Sequence, residues 1–139
     1  MYLLDTNVIS ELRKNAARQH SKVAEWIRTV HIADLYLSVI TVYELEIGIW
    51  RIERRDSAQG RLFRQWLDRG VLPQFHRKIL SFDMRIAMRA AGLHVPDPRP
   101  LADSFIAATA AEHEFVLVTR NTSDFQNMDV EVLNPFEFN

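Results

Sequence analysis

The sequence predicts an α/β fold, with a parallel sheet of about five strands sandwiched between two layers of helices, and three observations carry that prediction. Short apolar runs suited to buried strands recur at 2–4, 35–40, 78–82, 115–119 and 130–134. Stretches with apolar residues at helical spacing separate them. Strands that alternate with helices pair in parallel, because each helix carries the chain back across the sheet before the next strand begins. At 139 residues and 47% hydrophobic content there is enough chain for one core, and no repeat, low-complexity tract or Gly/Ser linker divides residues 1–139.

Taken in order, "YLL" at 2–4 is the first strand and stops abruptly on Asp5. A helical stretch runs from about Val8 to Val30, interrupted near Asn15, and "LYLSVI" at 35–40 is the second strand. The next helix opens at Thr41 and runs through "VYELEIGIWRIER", with Val42, Leu45, Ile49 and Ile52 as its apolar stripe. "SAQGRLFRQWLDRG" reads as another helix, Leu62, Phe63, Trp66 and Leu67 facing in and Gly70 closing it. "KILSF" at 78–82 is the third strand, and "DMRIAMRAAG" a helix ending at Gly92.

Pro96, Pro98 and Pro100 keep "HVPDPRP" out of a helix. Residues 92–99, held extended, span about 26 Å at about 3.3 Å each. The preceding helix is only about 14 Å long, so the loop can return the chain to the edge from which that helix started. "PLADSFIAATAAEHE" is then a helix with Pro100 in its first turn, "FVLVT" at 115–119 the fourth strand and "VEVLN" at 130–134 the last.

Composition narrows the chemistry. The absence of cysteine excludes disulfide scaffolds and thiolate metal sites. Nothing resembles a signal peptide or an apolar stretch of about 18 residues, so a soluble cytoplasmic protein with no membrane partner is expected. The net charge is −1, but if four acids serve a metal site the remainder is 17 basic against 14 acidic residues. Only Lys14, Lys22 and Lys78 are lysines, so the positive charge is nearly all guanidinium, suited to phosphate or simply coating helices.

In an open parallel sheet, ligands bind outside the carboxyl ends of the strands. Asp5 follows the first strand, Glu44 lies in the first turn after the second, and Asp83 opens the helix after the third. Asp103 lies in the first turn of the helix that the proline loop brings back, and Asp124 follows the fourth strand by five residues. All five therefore belong to one edge. Each also admits a structural reading. Thr41 and Glu44 have capping-box spacing, as do Asn121 and Asp124; Asp83 suits an N-cap, Asp103 a helix dipole, and Asp5 a cap on "TNVISELRK".

Taken together, carboxylates about 4 Å apart repel by about 4 kcal/mol per pair at an effective dielectric near 20, which calls for a cation. Oxygen ligands without cysteine select Mg²⁺ or Mn²⁺ over Zn²⁺. His20, His31, His76, His94 and His113 show no ligand-like pairing and read as surface or loop residues, and no G-x-S-x-G elbow supports a Ser-His-Asp triad. Asp5-Thr6-Asn7 lacks the second acid of the Asp-x-Asp used by haloacid-dehalogenase-type phosphatases. No lysine follows Lys78, which excludes a receiver domain.

"LLDTNVISEL" at 3–12, "SVITVYELEIGI" at 38–49, "LADSFIAATA" at 101–110 and "LVTRNTSDF" at 117–125 stand in that order over nearly the whole chain. Together they resemble the motif blocks of the PIN-domain nucleases, and among these the VapC and FitB-like ribonuclease toxins of toxin–antitoxin operons. The resemblance implies a three-layer α/β/α domain with strand order 3-2-1-4-5. It implies a metal-binding catalytic quartet of Asp5, Glu44, Asp103 and Asp124, with Asn7 and Asn121 as polar support, and leaves Asp83 without a ligand role. The implied activity is Mg²⁺- or Mn²⁺-dependent endoribonucleolytic cleavage of RNA. The implied partners are a cognate antitoxin and a second copy of the chain, joined in a higher complex.

Arg13, Arg51, Arg54, Arg55 and Arg120 could hold an RNA backbone; only Arg120, in the "TRN" block, is placed near the site by position, and the other four also suit plain helix surface. Apolar residues on the early helices, Val23, Trp26, Ile27 and Val30, and Trp50 on the third offer surface for a partner; Trp26, Trp50 and Trp66 also suit an ordinary core. The rival reading is a catalytically silent interaction module whose acids only cap helices.

Overall fold

Leu3 and Leu4 are adjacent in β1 (Tyr2–Leu4) and both fully buried, yet they belong to different cores, one on each face of the sheet. The same split separates Leu117 from Val118 in β4 (Val116–Val118). This is the period-2 alternation of strands covered on both faces. With β2 (Leu35–Ser38), β3 (Ile79–Leu80) and β5 (Val132–Leu133), they form one parallel sheet ordered β3-β2-β1-β4-β5. The computed structural model describes all residues, 1–139.

On one face lie α1 (Thr6–Leu12), α2 (Ser21–Thr29), α3 (Val39–Arg55), α4 (Ser57–Gln65) and the short α5 (Leu72–Gln74). They pack a core in which Trp26, Leu37, Leu67 and Phe75 are among the fully buried side chains. On the other face α7 (Leu101–Glu112) lays Ile106, Ala107 and Ala110 on Leu3 and Leu117, and α6 (Met84–Gly92) packs outside it through Ile86 and Ala90. The three layers and the strand order are those expected. No helix is long and apolar enough to cross a membrane.

Several boundaries differ from the sequence reading, each for a local reason. α1 begins at Thr6 because Asp5 caps it, two residues before the predicted start. α3 begins at Val39 because the Ser38 hydroxyl accepts the Ile40 N–H, so the strand ends at Ser38 and Thr41 is already one turn inside the helix. Gly70 does not end the next helix: a π-helical turn, Trp66–Val71, carries the chain into α5 because Leu67 and Val71, four apart, are both buried. Leu62 faces solvent, 67% exposed, while Phe63 and Trp66 pack partly inward. Pro100 is the N-cap of α7, one residue ahead of the predicted first-turn position. Val23 and Trp26 are core residues and so offer no surface to a partner, whereas Trp50 is 69% exposed.

Candidate active site

The register of the sheet decides which chain segments meet at its carboxyl edge. Leu4 pairs with Val118, and the Asp5 N–H continues the ladder by donating to the Val118 carbonyl at 2.9 Å. The residue after β1 therefore sits beside Thr119, the residue after β4. Asp5 is 6% exposed, and both its carboxylate oxygens are held. Oδ1 accepts the Thr6 N–H at 2.8 Å, and Oδ2 accepts the Thr119 hydroxyl at 2.7 Å and an Asn7 amide N–H at 3.3 Å. Burial pushes its pKa above the ordinary value, opposed by those three hydrogen bonds and reinforced by the charge of Asp124.

Asn7 links the exits of the two strands. Its amide N–H also lies 3.3 Å from the Thr119 hydroxyl and its carbonyl accepts the Arg120 N–H at 3.0 Å, lacing the ends of β1 and β4 together. Asn121 serves through its backbone N–H, which donates to Thr119 at 3.1 Å, and its side chain caps nothing.

Glu44 is not part of a capping box. Its carboxylate accepts the Thr6 hydroxyl at 2.6 Å, so Thr6, through its N–H and its hydroxyl, bridges Asp5 and Glu44. Thr6 and Thr119 are the two residues the sequence reading missed as organisers of the site. Both stand inside the quoted "DTN" and "VTRN" blocks, directly beside residues that were assigned.

Asp103 lies half-buried in the first turn of α7, and its pKa is raised to about 6, first by burial and then by the charges of Asp5, Asp124 and Glu44. Asp5, Asp124 and Glu44 thus all lie within electrostatic reach of Asp103. Asp124 is exposed, on a 3₁₀ turn spanning Thr122–Phe125. Asp83 is set apart as the N-cap of α6, accepting the Ile86 N–H at 3.0 Å.

The donors fit a hard divalent cation in kind, being carboxylate oxygens whose accumulated charge already penalises ionisation of Asp103. As placed, no three acid or histidine side chains close into a preformed cage. Arg120 is exposed and stacks its guanidinium 4.6 Å from the Phe136 ring centroid. Arg13, which the sequence offered either as an RNA contact or as helix surface, is exposed and lines a cleft of about 250 Å³ with Thr6, Ser10 and Glu44, its guanidinium 4.3 Å from the Phe63 centroid.

The PIN domain family model matches residues 2–131. "VapC ribonuclease Y4jK" of Sinorhizobium fredii is 37% identical, over 99% of this chain and 99% of that protein. The crystal structure of FitAcB from Neisseria gonorrhoeae superposes with a TM-score of 0.89 at 34% identity, covering 99% of this chain and 100% of that one. A toxin–antitoxin complex from Klebsiella pneumoniae gives a TM-score of 0.70 at 26% identity, over 99% and 100% of the two chains. With the acids at the carboxyl edge of a 3-2-1-4-5 sheet and these matches over its whole length, the chain belongs to the PIN-domain family, in the group of the VapC and FitB-like toxins.

Proposed function

We propose that the chain is the endoribonuclease toxin of a toxin–antitoxin pair, cleaving RNA at a divalent-ion site formed by Asp5, Glu44, Asp103 and Asp124. The observation that carries this reading is the gathering of Asp5, Glu44 and Asp124, from three other segments, close enough to Asp103 for their charges to add to burial in raising its pKa to about 6. Such crowding is unfavourable for a fold and useful for holding Mg²⁺ or Mn²⁺. The relatedness to a VapC ribonuclease supports RNA as the substrate.

The four acids divide the work. Asp5, gripped by Thr6, Thr119 and Asn7, is the fixed ligand, and Glu44 is registered to it through Thr6. Asp103 and Asp124 accept no hydrogen bond, which leaves their oxygens free to turn toward an ion or to take a proton from attacking water. When bound, the divalent ion supplies the positive charge that polarises water and phosphodiester together. Arg13, in the cleft beside Glu44, and Arg120, whose N–H is bound by Asn7, are the cations available to hold backbone phosphates. No histidine is needed as base.

The test is RNA cleavage by Asp5→Asn and Asp103→Asn variants, with Mg²⁺ and with a chelator. Loss in both variants and in chelator is expected; cleavage retained by both folded variants ends the proposal. Asp5 does cap α1, which favours the rival silent module enough to need its own experiment. Calorimetry with Mn²⁺ separates the two, since an acid that only caps a helix gives no heat of binding and no metal-dependent rise in Tm. The toxin–antitoxin relative supports a cognate antitoxin as partner, and the exposed Trp50 on α3 offers it an anchor.

A further inference from the structure

Asp103 accepts no hydrogen bond, so its carboxylate goes wherever the first turn of α7 puts it. That turn has an unusual start. Its N-cap is Pro100, which has neither an N–H nor a capping side chain. The turn is fixed from the proline loop instead. The His94 Nε2 lies 3.0 Å from the hydroxyl of Ser104, the neighbour of Asp103, and the Ser104 hydroxyl donates to the Leu101 carbonyl at 2.7 Å.

The directions of these bonds are determined. The Arg99 N–H donates to His94 Nδ1 at 3.2 Å, so Nδ1 is the acceptor and the ring hydrogen of the neutral imidazole sits on Nε2. Nε2–H then donates to Ser104, which passes its own hydrogen to Leu101, and every donor in the chain is matched. Ser104 is fully buried, so its hydroxyl has no water to fall back on. The same loop reaches the fourth acid's segment, because the Arg99 guanidinium donates to the carbonyl of Gln126, the residue that ends the Asp124 turn.

We propose that His94 is a positioning residue for Asp103, holding the first turn of α7 through Ser104 so that the Asp103 carboxylate meets the other three acids. This rests on the nuclease reading above. His94 stands in the loop between α6 and α7, as expected, and its half-buried, doubly bonded ring gives it this further role.

The test compares His94→Leu, His94→Gln and Ser104→Ala with the unaltered chain by RNA cleavage, Mn²⁺ calorimetry, and amide hydrogen exchange over residues 101–104 in chelator. For His94→Leu, a loss of at least about tenfold in kcat with KM for RNA little changed, and a similar loss in Mn²⁺ affinity, is expected of a group that orients a metal-binding acid. Exchange at 101–104 should rise while the sheet amides keep their protection. His94→Gln, whose amide can still donate to Ser104, should recover most of the loss, and the His94→Leu, Ser104→Ala pair should be no worse than the poorer single variant.

Unchanged kcat and exchange in folded His94→Leu protein, or additive losses in the pair, overturn the proposal. If His94→Leu does not fold, the Ser104→Ala and His94→Gln variants decide by the same criteria. If the unaltered protein neither cleaves RNA nor binds Mn²⁺, the nuclease reading fails, and the exchange measurement alone then upholds or removes the role of His94 in placing Asp103.

Discussion

Replacing Asp103 with asparagine should stabilise the metal-free protein, and by an amount that depends on pH. Its carboxyl moves from 3.8 in the unfolded chain to about 6 in the fold. At about 1.4 kcal/mol per pH unit the full penalty for ionising it would be about 3 kcal/mol. The side chain is only half-buried, so solvent screening reduces this to about 1 kcal/mol. Because the folded pKa is the higher one, the fold holds a proton that the unfolded chain lacks between the two values, and stability falls as pH rises through that window. The Asp103→Asn variant escapes the fall.

Thermal unfolding in chelator should therefore show the variant and the unaltered protein melting together near pH 4 and diverging to about 3 °C in the variant's favour above pH 7, for an unfolding entropy of about 0.3 kcal/mol/K. Mn²⁺ should reverse the order. A concentration of about 100 Kd adds about 2.7 kcal/mol, or about 9 °C, to a chain with the intact site and less to the variant. An Asp103→Asn protein that melts below the unaltered one at pH 8 in chelator would refute the claim that these acids strain one another.

Asn7→Ala should lower stability by about 1–2 kcal/mol, because it removes the group that laces Asp5, Thr119 and the Arg120 N–H together; urea unfolding measures it. Thr41→Val should be neutral or stabilising by up to about 1 kcal/mol, since the buried Thr41 hydroxyl has no partner and a methyl of the same shape needs none; a loss would show that the hydroxyl is used. Gly60→Ala should destabilise by about 1–3 kcal/mol despite alanine's better helix propensity, because its Cβ would come 2.6 Å from the Glu53 Cα and push α4 off α3. Equal or higher Tm in that variant would mean that the helix pair yields.

The sheet and its order were legible in the sequence because each rests on a strong local signal. "YLL" and "VLV" alternate between two cores, and three prolines break the chain before α7. Asp103 stands in the first turn of its helix as expected, whereas Glu44 falls in the second turn of α3, because Ser38 and not Thr41 caps that helix. What the sequence concealed are pairings between segments. Thr6 with Glu44 spans 38 residues, and Thr119 with Asp5 spans 114. Nothing in the periodicity of either segment marks a hydroxyl as donor to a carboxylate elsewhere. The same blindness left Arg13 a candidate without a position, since its place beside Glu44 depends on how α1 meets α3, and it moved the start of α3, where Ser38 outcompeted Thr41 as the cap. Burial decided the fate of Gly70, because Leu67 and Val71 gain more from the core than a helix stop offers.

The difference between the two pairs of acids follows from where the chain enters them. Asp5 leaves a central strand, so the neighbouring strand's exit supplies Thr119 and the next turn supplies Thr6, and a buried carboxylate is acceptable only with such partners. Asp103 arrives on a helix start preceded by Pro100, and Asp124 on a solvent-facing turn, so neither has a backbone donor aimed at it. A carboxylate already satisfied by three donors has little left to gain from changing partners. One with none gains the most from an incoming charge. The fold thus holds Asp5 rigidly at the sheet and leaves Asp103 and Asp124 unsatisfied on connecting segments, and the proline loop, through His94 to Ser104 and Arg99 to Gln126, is the part of the scaffold that ties those two segments together.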